Sequence, residues 1–157
     1  MNDTIVGPLF PVWFKEHYKW PIFFTDMIDE QCKLAGISIN QIPDPIVQTM
    51  LFCTDKIGLN ILIKNDIFNN CNNLTKHEII EHHEIKSSRV ILNNGFKVKS
   101  LLKSDECNKN RYHLDPWWND NYFGKTPHPY ETIFNKINTP KNINYNEIIE
   151  LHKEYGA

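Results

Sequence analysis

Hydrophobic and polar positions change period several times along the chain, and each change predicts an element. Lys33-Leu34-Ala35-Gly36-Ile37-Ser38-Ile39 suits a short strand, ended by the turn Pro43-Asp44-Pro45. Ile46 to Thr54 is mostly apolar and reads as a buried strand. Asp55 then stands where it can cap a helix running through Ile63. Thr75-Lys76-His77-Glu78 is a capping box, with Thr at the N-cap and Glu three positions on. The helix it opens should run to about Asn93, with Gly95 as its stop. Phe96 to Leu102 alternates as a strand does, and Asn144 to Glu147 repeats the capping pattern for a last helix through Tyr155. Upstream, Asn2 to Pro11 reads as a loop punctuated by Gly7-Pro8, and Trp13 to Tyr18 and Phe23 to Gln31 read as short helices. Strands alternating with helices predict an α/β fold in one domain over residues 1–157, with no internal repeat and no long linker.

Composition narrows the function classes. With 41% hydrophobic and 23% charged residues the chain is globular, not disordered. A net charge of −2 gives no electrostatic footprint for nucleic acid. No apolar run approaches the roughly 20 residues of a membrane span, and no signal peptide is legible, so a cytoplasmic location is expected. Cys32, Cys53, Cys71 and Cys107 are far apart, with no CxxC pair to build a zinc knuckle. Reduced thiols are the simplest reading, although four cysteines can also pair.

Candidate chemistry gathers in three places. The segment from Asp115 to Glu131 holds Trp117, Trp118, Tyr122, Phe123 and Tyr130 among carboxylates, amides and His128, between prolines and a glycine. Aromatic faces beside carboxylates suit a sugar, whose C–H faces stack while its hydroxyls hydrogen-bond. The alternative is a proline-locked loop plugging one edge of the core. The run His77-Glu78-Ile79-Ile80-Glu81-His82-His83-Glu84 invites a metallohydrolase reading. Its histidines at 77 and 82 are five apart, which turns them roughly 140° from each other on a helix instead of placing both on one face. Glu84 falls on the face of Ile80 and Ile91, where a carboxylate needs a partner or a pocket. Asp55 is a helix cap or an acid at a strand's end, and His128, fixed between two prolines, is structural, a metal ligand or a phosphate contact. His17, His113 and His152 show no partners in sequence and read as surface residues. Dinucleotide and ATP phosphate cradles and the GxSxG elbow are absent, and no Cys–His pair has a nucleophile signature.

Five segments in order resemble a glycosyltransferase-like family, distantly similar to the rhamnan-synthesis F family. They are Asn2-Asp3-Thr4-Ile5-Val6-Gly7-Pro8-Leu9-Phe10-Pro11; Lys33 to Asn40; Val47 to Asp55 with Gly58-Leu59; His83-Glu84 with Ser87, Ile91-Leu92 and Gly95-Phe96; and Asp115-Pro116-Trp117-Trp118 with Tyr122-Phe123-Gly124, His128-Pro129, Glu131 and Lys136. The resemblance implies a GT-A-like mixed sheet flanked by helices, matched only over its C-terminal part. The nucleotide-binding half of the pattern would then stand on another piece of chain, or the protein would work as a homo-oligomer. It implies sugar transfer from a nucleotide-sugar donor to a glycan or other hydroxyl acceptor, with Mn2+ or Mg2+ as cofactor. Asp3 and His128 are the implied metal ligands, Glu84 or Asp55 the base, and Trp117, Trp118, Asp115 and Tyr122 the sugar contacts. This chain departs from the pattern in having His83 where a tyrosine is expected and one aspartate in the acidic motif. Two alternatives follow: a non-catalytic carbohydrate-binding remnant, and a metal-dependent hydrolase using His77, Glu78, His82 and His128.

Overall fold

A computed structural model describes residues 5–11, 13–14, 19–41, 44–69, 71–102, 115–117, 121–136 and 145–155. It is a mixed α/β structure with small sheets and several helices. At its centre is β2 (Cys32–Gly36), every residue of which is buried. β5 (Phe52–Cys53) pairs with it antiparallel on one side and β6 (Lys97–Ser100) parallel on the other. A parallel neighbour requires a long crossover. Here it runs through two helical stretches, which cover the sheet and explain why a central strand can be apolar throughout.

The first stretch is α2 (Lys56–Lys64), capped by Asp55 as expected. Gly58 lies against β2: a Cβ there would meet Thr54 Oγ1 and Lys33 O. The second begins at the expected capping box on Thr75, with both reciprocal hydrogen bonds made. It continues as α3 (Lys76–Ile79), a π-helical segment (Ile80–Ile85) and α4 (Lys86–Asn93), and ends before Gly95, whose φ is 81°. The i→i+5 turns take an extra residue each, so positions after Ile80 are rotated relative to a regular 3.6-residue helix.

The expected strand from Ile46 to Thr54 is broken in two. β3 (Ile39–Asn40) pairs with β4 (Ile46–Val47), the chain turns at Thr49-Met50, and β5 follows. Two cores compete for this one apolar run. Val47 joins Leu34, Leu62 and Ile91 in one core; Met50 and Leu51 join Phe24, Ile37, Trp117 and Phe134 in the other. The interruption leaves backbone groups to satisfy. The buried Ser88 hydroxyl accepts from Val47 N at 2.8 Å, and Gln48 N donates to Ser38 O at 3.0 Å.

Two further differences from expectation lie in the N-terminal part. The N-terminal loop contains β1 (Ile5–Val6), which pairs antiparallel with β7 (Asn135–Lys136). The helix expected at Phe23–Gln31 is the single turn α1 (Ile22–Thr25), because Asp29 accepts from Gln31 N and Cys32 N to launch β2. The helix expected at Trp13–Tyr18 lies mostly outside the described residues. α5 (Pro129–Thr132) follows His128, and the last helix, α6 (Tyr145–Tyr155), is where its capping pattern put it. Among the described residues no helix is long and apolar enough to cross a membrane.

Candidate functional site

A pocket of about 500 Å³ opens between α1 and β5. Trp20, Pro21 and Phe24 form one wall, and Leu51, Phe52 and Cys53 the other, with Thr25, Thr49 and Thr54 adding hydroxyls. The aromatic wall is fixed by packing. Trp20 meets Phe24 edge-on at 6.0 Å and Phe134 at 4.9 Å between ring centroids. Thr54 Oγ1 donates to Lys33 O at 2.6 Å, which ties the pocket floor to β2. Burial pushes the Cys53 thiol up, and the Asp55 carboxylate pushes it further, so this sulfur stays a protonated, weak nucleophile.

Asp55 follows Thr54 directly. Its Oδ1 accepts from Gly58 N at 2.8 Å as the cap of α2, and its Oδ2 accepts from Lys33 Nζ at 2.7 Å. The Lys33 side chain is only 6% exposed, and its ammonium also donates to Asp29 O at 2.7 Å. Burial alone would raise the Asp55 pKa, but the Gly58 N–H and the Lys33 ammonium outweigh it and hold the carboxyl below its ordinary range. Asp55 is therefore the helix cap of the two readings; it follows the lining residue Thr54 but is not itself among the residues that line the pocket. Its charge suits holding a hydroxyl donor more than collecting a proton, since a base works best with a pKa near the working pH.

Among the described residues, the other expected site residues do not line this pocket either. Glu84 is half-buried on the π-helical segment and does not line the pocket; its backbone carbonyl accepts from Ser87 Oγ at 2.7 Å, while its carboxylate has no hydrogen-bond or ion-pair partner among the described residues. The regular-helix phasing that put it on the Ile80–Ile91 face is broken by the π turns. Trp117 is 5% exposed and belongs to the core, with its indole N–H donated to Ser38 Oγ at 2.9 Å. No face of this ring is left for a sugar to stack on. Asp115 Oδ1 accepts from Trp117 N at 3.0 Å and closes the turn that inserts the indole. Tyr122 is half-buried, with its ring edge-on to the exposed Phe123 at 5.0 Å. His128 caps α5: its Nδ1 accepts from Tyr130 N at 3.2 Å. The neutral ring must then carry its proton on Nε2, so neither nitrogen offers a metal a lone pair in this arrangement. Trp118 and Asp3 lie outside the described residues, as do His17 and His113.

The histidine run stays dispersed. His77 and His82 are exposed, and Glu78 is spent on the capping box, accepting from Thr75 N at 2.8 Å. Among the described residues no group of three or more His, Cys, Asp or Glu is placed to hold a metal ion. Sequence reasoning missed Trp20 and Phe24 as pocket walls and Lys33 as the partner of Asp55. A tryptophan directly before a proline-started helical turn is a usable local signal for the first; the Lys33–Asp55 pair spans 22 positions and leaves no local trace. Comparisons with protein-family models, curated proteins and solved structures give no match to this chain.

Proposed function

We propose that this chain is a glycosyltransferase-like domain of the GT-A kind, which recognises a sugar and serves its transfer from a nucleotide-sugar donor to a glycan or other hydroxyl acceptor. The observation that carries the reading is the α1–β5 pocket. It sets the half-buried Trp20 ring beside threonine side chains, with the ionised Asp55 next in sequence to the lining residue Thr54, and an aromatic ring near polar groups is the chemistry a pyranose needs. The ordered likeness of the five sequence segments gives the reaction class. The mixed sheet, with a parallel and an antiparallel neighbour to β2, is in keeping with it. In this reading Trp20 takes the stacking role that Trp117 was expected to fill, and Asp55 accepts a hydrogen bond from a sugar hydroxyl. Glu84, half-buried and with a carboxylate unpartnered among the described residues, is the remaining candidate base. The metal part of the expectation fits less well, because His128 has its Nδ1 committed to Tyr130 N; no step is routed through a metal.

A second reading, a carbohydrate-binding remnant without transfer, is favoured by one detail: both Asp55 oxygens are already engaged. Thermal melting against nucleotide diphosphates, nucleotide sugars and free saccharides, with and without manganese, separates the two. A ligand raises the melting temperature of the state it binds. An upward shift with a nucleotide sugar supports transfer, and a shift with saccharides alone supports the remnant. Either shift should disappear in Thr49→Trp, which fills the pocket. A cooperative melt that no nucleotide and no saccharide moves would overturn both readings.

A further inference from the structure

The loop after α2 and the π-helical segment bring together a cysteine and a histidine twelve positions apart. Cys71 Sγ lies 3.3 Å from His83 Nε2, and His83 Nδ1 lies 2.7 Å from Ile67 O. A carbonyl oxygen only accepts, so Nδ1 carries a proton. In the neutral ring Nε2 is then bare and faces the thiol. Thiol, base and a third group that orients the base form the arrangement that activates a nucleophile. Asn69 O, also 3.3 Å from the sulfur, is a second acceptor for the same S–H. Once the proton moves to Nε2, both ring N–H groups have acceptors, Ile67 O and the sulfur.

Accessibility sets this cysteine apart. Cys32 is fully buried, and burial pushes its thiol and that of Cys53 up. Cys71 is half-exposed, on the surface loop that follows Asp66, which has a φ of 61°. The π-helical turns that carry His83 break regular helical phasing, and such turns recur where a side chain is re-aimed for function.

We propose that Cys71 is a reactive thiol activated by His83, and a site of modification by low-molecular-weight disulfides. The thiol proton passes to His83 Nε2. The Cys71 thiolate attacks one sulfur of the disulfide, forming a new S–S bond as the old one breaks. The departing thiolate takes the proton from Nε2 and leaves as a thiol. Atoms and electrons balance: one protein thiol is oxidised to a mixed disulfide while half of the small disulfide is reduced.

The test is incubation of the full chain with oxidised glutathione near neutral pH, with the rate at each cysteine read by peptide mass mapping. Cys71 should be thiolated faster than Cys32 and Cys53, and faster than it is itself in urea-unfolded chain. In His83→Gln its rate should fall by about tenfold or more, the loss expected when a general base is removed. Loss of structure would also lower the rate toward that of the unfolded chain, so the fall counts only in a variant that melts cooperatively at the native temperature. A native Cys71 no faster than in unfolded chain would overturn the proposal, as would an undiminished rate in a His83→Gln protein that melts cooperatively. Neither result bears on the sugar pocket, which lies elsewhere in the fold.

Discussion

Lys33 carries a positive charge into the middle of a buried strand, and its surroundings show how that is tolerated. An unpaired ammonium there would be costly. Asp55 Oδ2 and Asp29 O each lie 2.7 Å from Nζ, and the Phe96 ring centre is 5.7 Å away. Asp55→Asn keeps a capping side chain but removes the countercharge. With the Asp55 side chain 31% exposed, solvent screens part of the pair, and a loss of about 1 kcal/mol near neutral pH is expected. The sign of the pH dependence follows from the lowered Asp55 pKa. The pair's contribution is complete above the ordinary aspartate value of about 3.9 and is lost as pH falls through and below it. Denaturant titrations of both proteins should therefore show a stability gap at neutral pH that closes on acidification. A gap of the same size near pH 2 would mean that the charge pair is not its cause.

At the scale of elements, the long helix shows what local signals do and do not specify. The Thr75–Glu78 capping box forms as the sequence predicts, because every group in it lies within four positions. Thr75→Ala should cost about 1 kcal/mol, measurable as a lower urea midpoint at unchanged slope. A larger loss would mean that the cap also holds the loop carrying Cys71. Further along, the capping pattern and Gly95 mark the ends but not the π turns at Ile80–Ile85. Those turns change which residues share a face, and His83 on them reaches the carbonyl of Ile67. The broken strand at Ile46–Thr54 has a similar origin. Its hydrophobicity was legible, but the division between two cores depends on partners such as Ser88, 41 positions away.

For the whole molecule, Trp117 is the informative position. It ties the turn at Asp115–Trp117 back to Ser38, 79 positions earlier, and so helps close the core around Ile37 and Phe134. Trp117→Ala should cost about 3–5 kcal/mol, as large-to-small core changes do. A surface sugar platform at this position would instead leave the melting temperature nearly unchanged while removing sugar binding. By itself the sequence determined the α/β class, both helix starts at Asp55 and Thr75, the stop at Gly95, the last helix and the presence of a strand at Lys33–Ile39, which the structure bounds at Cys32–Gly36. These are written in periodicity and in contacts a few residues long. Only tertiary structure decided that Trp117 is core and Trp20 lines the pocket, that Asp55 answers to Lys33, and that Cys71 meets His83. The physical reason is common to all of them: an aromatic or a charge has the same local signature in a core as in a site, and its role is settled by partners that folding brings from far along the chain.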